Sequence, residues 1–151
     1  MRMKPNLIFY RRVFLLVCFM GLSFSATVGA QDANIVAHDA WARVPLKSKM
    51  DTALYMVVEN HTSQNRTIVS VSTESAAQAE LHQMTMIKMM MVMTPVDHVA
   101  IPARGKTSFD PNGFHIMLFG LKTRPDVGDK LSVTLKLDDG TTVPVEATVR
   151  K

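Results

Sequence analysis

The chain has very little cysteine: a single residue, Cys18, among 151. One thiol cannot form a disulfide within the chain, and it cannot build a cysteine-based metal centre by itself. The chain also lacks helical periodicity, internal repeats, low-complexity tracts and Gly/Ser-rich linkers. We therefore expect one domain without disulfides, in which any metal site has to be made from other ligands.

The first thirty residues have the features of an export signal. Four basic residues precede an apolar run over 13–24, and Val28-Gly29-Ala30 supplies the small side chains that signal peptidase selects. The apolar run is shorter than the ~20 residues that span a bilayer. We expect cleavage after Ala30, a mature domain at residues 31–151, a periplasmic location and no stable membrane anchor. Cys18 lies inside the apolar run and has no small residue before it, so we do not expect a lipoprotein site there.

The excess of positive charge is confined to this N-terminal segment. The whole chain has 17 basic and 13 acidic residues, and subtracting the four basic residues of segment 1–30 leaves 13 of each sign in residues 31–151. A neutral domain gives no electrostatic reason to bind nucleic acid. Nucleic acid is therefore not an expected partner.

Short apolar-alternating runs separated by turn residues fill most of the remaining chain. This pattern predicts eight or nine strands in an all-β, antiparallel Greek-key β-sandwich with a single domain. Segments 79–86 and 90–94 are predicted to form a hairpin, followed later by a strongly apolar strand over 114–119. Residues 75–79 are the one predicted helical turn, and Trp41 is expected to fill the core.

Histidine and methionine occur together between residues 81 and 122, which contain seven of the chain's twelve methionines and three of its five histidines. Side chains two residues apart share a face of a strand, so His82 should lie beside Met84, and His115 beside Met117. Imidazole and thioether are the ligand set that suits a soft cuprous ion. A blue-copper electron-transfer site is excluded because it needs a cysteine thiolate. The stretch therefore predicts a Cu(I) site.

The other methionines and histidines have simpler explanations. Methionine often fills gaps in a core, and a histidine without a methionine two residues away is more often an ordinary polar residue. Structural roles alone are expected of Met56, His38, His61 and His98. Core filling and a loose part in copper capture both remain open for Met86, Met89 and Met90.

The spacing of four residues resembles the signature H-x10-M-x21-H-x-M of the periplasmic copper chaperones of the PCuAC family. The positions are occupied here by His82, Met93, His115 and Met117. Other parts of the chain resemble the same family, namely Asp39–Arg43, Thr52–Met56, Gly113–Leu121 and Gly128-Asp129. The resemblance covers essentially all of residues 31–151.

The resemblance implies a cupredoxin-like β-sandwich whose four signature residues bind Cu(I). Met84 and Met91, which share strand faces with His82 and Met93 respectively, are candidate auxiliary ligands. The resemblance also implies a metallochaperone and not an enzyme. Such a chaperone passes copper by ligand exchange towards the binuclear centre of a haem–copper (cytochrome c) oxidase. The implied partners are a copper-accepting oxidase subunit and a Sco-type thioredoxin-fold protein.

One segment departs from the family. Members usually carry an acidic residue and a glycine at the tip of the hairpin between the first histidine and the methionine, whereas this chain has Ile87-Lys88-Met89-Met90. Without glycine to supply positive φ, we expect a different type of turn. We also expect the ridge Met89-Met90-Met91 to be exposed and to dock the copper partner, because adaptable methionine surfaces suit transient contacts.

Two other functions remain open. A copper-storage or tolerance protein would use the same ligands but hold the ion, and the surplus of methionine favours it. A metal-free β-sandwich interaction module would use the methionine-rich edge for protein contacts alone. An enzyme is the least expected class, since the sequence shows no nucleophile–base pair, paired-carboxylate motif or phosphate loop.

Overall fold

The computed structural model of the protein describes residues 34–151; the signal segment expected at residues 1–30, with Cys18, lies outside them. Within the described residues the chain forms strands and no helix, and none of it could cross a membrane as a helix. The strands are β1 (Ile35–Arg43), β2 (Thr52–Asn60), β3 (Arg66–Thr73), β4 (Ala76–Ile87), β5 (Met90–Pro95), β6 (Val99–Ile101), β7 (Gly105–Phe109), β8 (Phe114–Leu121), β9 (Lys130–Leu137) and β10 (Thr142–Arg150).

These strands form one continuous sheet in the order β5-β4-β8-β7-β2-β1-β10-β9-β3-β6. The sheet curls so that β3 contacts β4 and β6 contacts β7, which encloses an apolar core. Among the described strands, neighbours are antiparallel except for two parallel pairs, β1 with β10 and β7 with β8. The predicted all-β sandwich is confirmed, with ten strands instead of eight or nine.

The core follows from the alternation of apolar and polar residues. In β9 and β10 every second residue is buried, because a strand presents alternate side chains to opposite faces. Met56 is buried among these core residues, as predicted. The largest fully buried side chains include Leu54, Ile68, Ile116, Leu118 and Leu135.

The predicted hairpin is present and is longer than the sequence indicated. Two residues, Lys88 and Met89, connect β4 to β5, with φ of 47° and 66°. Positive φ at both central residues is the conformation of a type I′ turn, which usually takes Asn-Gly or Gly-Gly. Our inference that the lack of glycine would prevent this turn is therefore wrong. Met89 at the tip is 93% exposed, as expected.

Two further predictions are wrong. Residues 75–79 do not form a helical turn, because β4 begins at Ala76, where the chain pairs with Leu121 of β8; tertiary pairing overrides the helical propensity of alanine.

Trp41 is not in the core. A β-bulge between His38 and Trp41 shifts the register of β1, so Ala42 is the buried residue and Trp41 stays partly exposed.

Candidate metal site

The signature residues lie on three neighbouring strands, β5, β4 and β8. The hydrogen-bond register places His82 of β4 opposite His115 of β8, and Met84 of β4 opposite Met93 of β5. Residues opposite each other on paired strands share a face of the sheet. Met117, two residues after His115, lies on the same face, and it and Met93 are diagonal neighbours of His82. The fold therefore brings all four signature residues together.

The two histidines are adjacent and buried. Their ring centroids are 5.9 Å apart, and the residues are 7% (His82) and 2% (His115) exposed. One nitrogen of each ring has a hydrogen-bond acceptor: His82 Nε2 donates to Glu80 Oε2 at 2.9 Å, and His115 Nδ1 donates to the Gly113 carbonyl at 3.2 Å. The other nitrogens, His82 Nδ1 and His115 Nε2, are buried without a partner.

An unpartnered buried nitrogen is unfavourable in the free protein. A buried polar group without a hydrogen bond typically costs ~1–3 kcal/mol. A neutral imidazole that donates its one N–H also presents a lone pair on the other nitrogen. Metal-ligating histidines are usually held in this way, with the non-ligating N–H donated to a carboxylate or a backbone carbonyl. The two rings are thus oriented to offer one nitrogen each to an ion.

Glu80, which holds the ring of His82, was not among the predicted site residues. Gln78, Glu80 and His82 occupy alternate positions of β4, and Gln78 Nε2 donates to Glu80 Oε1 at 2.5 Å. The i, i+2 spacing that paired the histidines with methionines also relates Glu80 to His82. The same spacing therefore marks Glu80 in the sequence as a neighbour of His82 on one strand face.

A turn before β8 holds the ring of His115. Asp110 Oδ1 accepts the Asn112 N–H at 2.9 Å, and the Asp110 carbonyl accepts the Gly113 N–H at 3.1 Å. The Gly113 carbonyl then accepts two donors, the ring Nδ1–H of His115 and the backbone N–H of Met84 at 3.0 Å. The Asp-Pro-Asn-Gly sequence, which favours a turn, therefore fixes the tautomer of a histidine two residues later.

Burial also affects the protonation of the site. Desolvation lowers the pKa of His115, and the neighbouring His82 acts in the same direction, while the bond to Gly113 opposes them. The neutral ring is therefore favoured over a wider range of pH. Aromatic rings cover the pair: Tyr55 lies 6.3 Å from His115, and Phe119 lies 5.9 Å from His82, between ring centroids.

Comparison with known proteins identifies the family. The family model described as "Putative lipoprotein LpqE-like" matches residues 35–149. The chain belongs to this LpqE-like family. It is 32% identical over 135 residues to "Putative lipoprotein Lxx21020" of Leifsonia xyli subsp. xyli, an alignment that covers 88% of the chain and 80% of that protein.

Two solved structures relate the LpqE-like chain to PCuAC domains. The solution structure of Cu(I)-bound DR1885 from Deinococcus radiodurans is 37% identical, with a TM-score of 0.58 and 77% of each chain covered. The copper-bound PCuAC domain of PmoF2 has a TM-score of 0.64 at 22% identity, covering 78% of this chain and 92% of that domain. The PCuAC resemblance and the cupredoxin-like fold are thereby confirmed.

The thioethers of the LpqE-like chain flank the two histidines, with Met93 and Met117 on opposite diagonals of His82. Met93, on the edge strand β5, is 45% exposed, while Met84 and Met117 are half-buried. Met84 and Met91, the predicted auxiliary ligands, are not paired with each other: the register pairs Met84 with Met93 and Met91 with Met86. The candidate site therefore combines two buried imidazoles with the signature thioethers Met93 and Met117, of which Met93 at the edge of the sheet is the more exposed.

The remaining histidines do not join this group. His38 Nε2 and His61 Nε2 lie 3.3 and 3.8 Å from the two carboxylate oxygens of Glu59 at the surface, and His98 is exposed. Throughout residues 34–151, no group of three His, Cys, Asp or Glu side chains is arranged to hold a metal ion.

Proposed function

We propose that the protein is a Cu(I) metallochaperone in which His82, Met93, His115 and Met117 hold the ion. One observation carries the proposal: two buried ring nitrogens without hydrogen-bond partners, His82 Nδ1 and His115 Nε2, lie on the same sheet face as two methionines. Membership of a family related to PCuAC copper-binding domains supports it.

The donor set fits a cuprous cargo. Thioether and neutral imidazole are uncharged, so the charge of the loaded site is that of the ion alone. Thioether sulfur does not titrate and cannot be lost to a disulfide in an oxidising compartment. Ions such as Mg²⁺ and Ca²⁺ prefer oxygen ligands, whereas the unpartnered buried groups of this face are imidazole nitrogens.

The difference in exposure among the ligands suggests how cargo leaves. The two imidazole rings are buried and each is held by a hydrogen bond at its other nitrogen, whereas Met93 lies on an edge strand and is nearly half exposed. An acceptor that approaches from the edge of the sheet can replace Met93 first and withdraw the ion from the histidines last. This exchange is binding chemistry, and we propose that the protein is not an enzyme.

We further propose that the acceptor is a copper-receiving subunit of a haem–copper oxidase, reached directly or through a Sco-type thioredoxin-fold protein. The support is the PCuAC resemblance of the signature and its surroundings. The test is transfer from the Cu(I)-loaded protein to each purified acceptor, followed by the spectrum of the acceptor's copper centre. Retention of the ion in the presence of both acceptors would remove this part of the proposal.

Export to the periplasm with cleavage after Ala30 is also proposed. The basic and apolar segment at the N-terminus supports export, and so do the lipoprotein names of the family and of the Leifsonia relative. The intact mass of the protein isolated from its native envelope tests the cleavage site. We expect a chain that begins at Gln31; a lipid-modified chain that begins at Cys18 would contradict it and indicate a membrane-anchored chaperone.

A competition titration tests the proposed site. The apoprotein should withdraw Cu(I) from a chromophoric chelator, and the double variant His115→Ala, Met117→Ala should lose the tight binding. Met50→Ala with His98→Ala is the matched control, because it removes an exposed methionine and an exposed histidine outside the site. Failure of the unmodified protein to compete would favour a metal-free interaction module.

Copper storage is the second candidate, and one observation favours it. Two methionines that the four-ligand site does not use, Met86 and Met91, face each other on the same side of the hairpin and are exposed. A storage protein would retain its copper when mixed with the acceptors and would protect cells from excess copper. A chaperone would release its copper and would be needed when copper is scarce.

A further inference from the structure

The β4–β5 hairpin carries two cross-strand pairs of methionines in succession. Met84 is opposite Met93, and Met86 is opposite Met91. Both pairs lie on the sheet face that carries His82, because all three positions of β4 are separated by two residues. The proposed chaperone site uses only Met93 from these pairs.

Three thioethers are thus left over, and their positions allow them to meet. Directly opposite residues have Cβ atoms about 4.5–5.5 Å apart, and diagonal neighbours are about 7–8 Å apart, within the reach of long side chains. Met86 is opposite Met91, and Met84 is both the diagonal neighbour of Met91 and two residues from Met86. The three rotatable bonds of methionine can bring three sulfur atoms to one point between these positions.

Core filling does not explain this group. Met86 is 69% exposed and Met91 is 46% exposed, so both leave much of their apolar surface in water. Exposure of this much apolar surface to water is unfavourable unless the side chains contact a bound ligand or a partner. The buried face of the same hairpin region is formed by other residues, such as Leu81.

We propose that Met84, Met86 and Met91 form a second Cu(I) site, made of thioethers alone and placed between the chaperone site and the tip of the hairpin. Soft thioethers select a soft cuprous ion. The site lacks imidazole and is open to solvent, so it binds more weakly and exchanges faster than the inner site. The inference rests on the proposed function, because it assigns Met93 and the histidines to the inner ion.

Its position gives the outer site a function in transfer. The two sites are adjacent at the cross-strand pair Met84 and Met93, because Met84 is a ligand of the outer site and Met93 is a ligand of the inner site. An ion captured at the outer site therefore needs to move only about one residue pair along the hairpin, ~7 Å, to reach the histidines. The outer site is consequently the first to load and the first that an acceptor contacts.

Stoichiometry tests the second site. Titration with Cu(I) against a chromophoric chelator should show two ions bound to the unmodified protein, one tightly and one weakly. The triple variant Met84→Leu, Met86→Leu, Met91→Leu should lose the weak ion and retain the tight one, since the Met-to-Leu exchange conserves volume. The double variant Met89→Leu, Met90→Leu is the matched control: Met89 is in the turn and Met90 is opposite Ile87, so neither lies on this face.

X-ray absorption distinguishes failure of this inference from failure of the proposed function. With one equivalent of Cu(I), the proposed inner site gives two nitrogen and two sulfur ligands; in the variant His115→Ala, Met117→Ala the remaining ion should have sulfur ligands only. One bound ion with nitrogen and sulfur, and no second ion, would overturn the outer site and leave the chaperone site standing. A first ion without nitrogen ligands would contradict the inner site. Loss of the weak ion in the Met89 and Met90 control would overturn the assignment of the outer site.

Discussion

The carboxylate of Glu80 should strengthen copper binding although it does not contact the ion. It accepts the Nε2–H of His82 at 2.9 Å and thereby fixes the tautomer that leaves Nδ1 free. Replacement of Glu80 by alanine removes the acceptor, so the ring can rotate or change tautomer. Replacement by glutamine keeps an acceptor oxygen but removes the charge.

The size of the effect can be estimated from the hydrogen bond. A hydrogen bond to a charged group contributes ~1.5–3 kcal/mol. The side chain of Glu80 is 35% exposed, which places its bond at the lower end of that range. Since about 1.4 kcal/mol changes a dissociation constant tenfold, Glu80→Ala should weaken Cu(I) binding about tenfold. This estimate agrees with the ~10–100-fold loss of metal affinity that typically follows removal of a hydrogen-bond partner of a metal ligand. Glu80→Gln should have a smaller effect.

The assay is a Cu(I) competition titration of both variants beside Glu146→Ala. Glu146 is an exposed strand carboxylate, paired with Lys130 at 3.2 Å on the strands β10 and β9 away from the site, so its loss should leave the affinity unchanged. The reasoning is refuted if Glu80→Ala binds Cu(I) as tightly as the unmodified protein. An equal loss in the Glu146 variant would also refute it, because the effect would then be one of general charge.

Three further predictions concern protons, the turn and the tip. Protons compete with copper only at the imidazoles, so the Cu(I) affinity should fall as the pH drops through the range in which imidazole ordinarily titrates, ~6.5 and below. Burial lowers the pKa of His115, so its part of the loss should extend to lower pH; an affinity that is flat from pH 7 to 5 would contradict ligation by both rings. The double variant Lys88→Asn, Met89→Gly should raise the free energy of unfolding in urea by ~1–2 kcal/mol, because it relieves two non-glycine residues at positive φ; an unchanged midpoint would refute the strain. Replacing Met89 and Met90 by serine should slow transfer to the acceptor and leave the affinity intact, and an unchanged rate would exclude the tip as a docking surface.

The sequence was sufficient to predict the fold class and the set of candidate ligands. Alternation of apolar residues predicted most of the strands, and the i, i+2 spacing placed His82 beside Met84 and His115 beside Met117. Such information is local, and a period of two residues needs no knowledge of neighbouring strands. The register of the hairpin was not accessible in this way. It depends on a two-residue turn formed by Lys88 and Met89, whose positive φ is unusual for these residue types.

Non-local features were the ones missed. The β-bulge that turns Trp41 away from the core depends on the pairing of β1 with β2 and has no signature in the nine residues of β1 themselves. The role of Gly113 depends on a turn that lies next to β4 only in the folded sheet. Glu80 is the exception, because its spacing from His82 was visible in the sequence.

The most direct test of the account is the protonation and ligation state of each histidine nitrogen. Two-bond ¹H–¹⁵N spectra of the imidazoles, recorded before and after one equivalent of diamagnetic Cu(I), report all four nitrogens of the two rings separately. We predict large shifts at His82 Nδ1 and His115 Nε2, while His82 Nε2 and His115 Nδ1 remain protonated. Shifts at the opposite nitrogens, or only at the surface histidines, would contradict the proposed site.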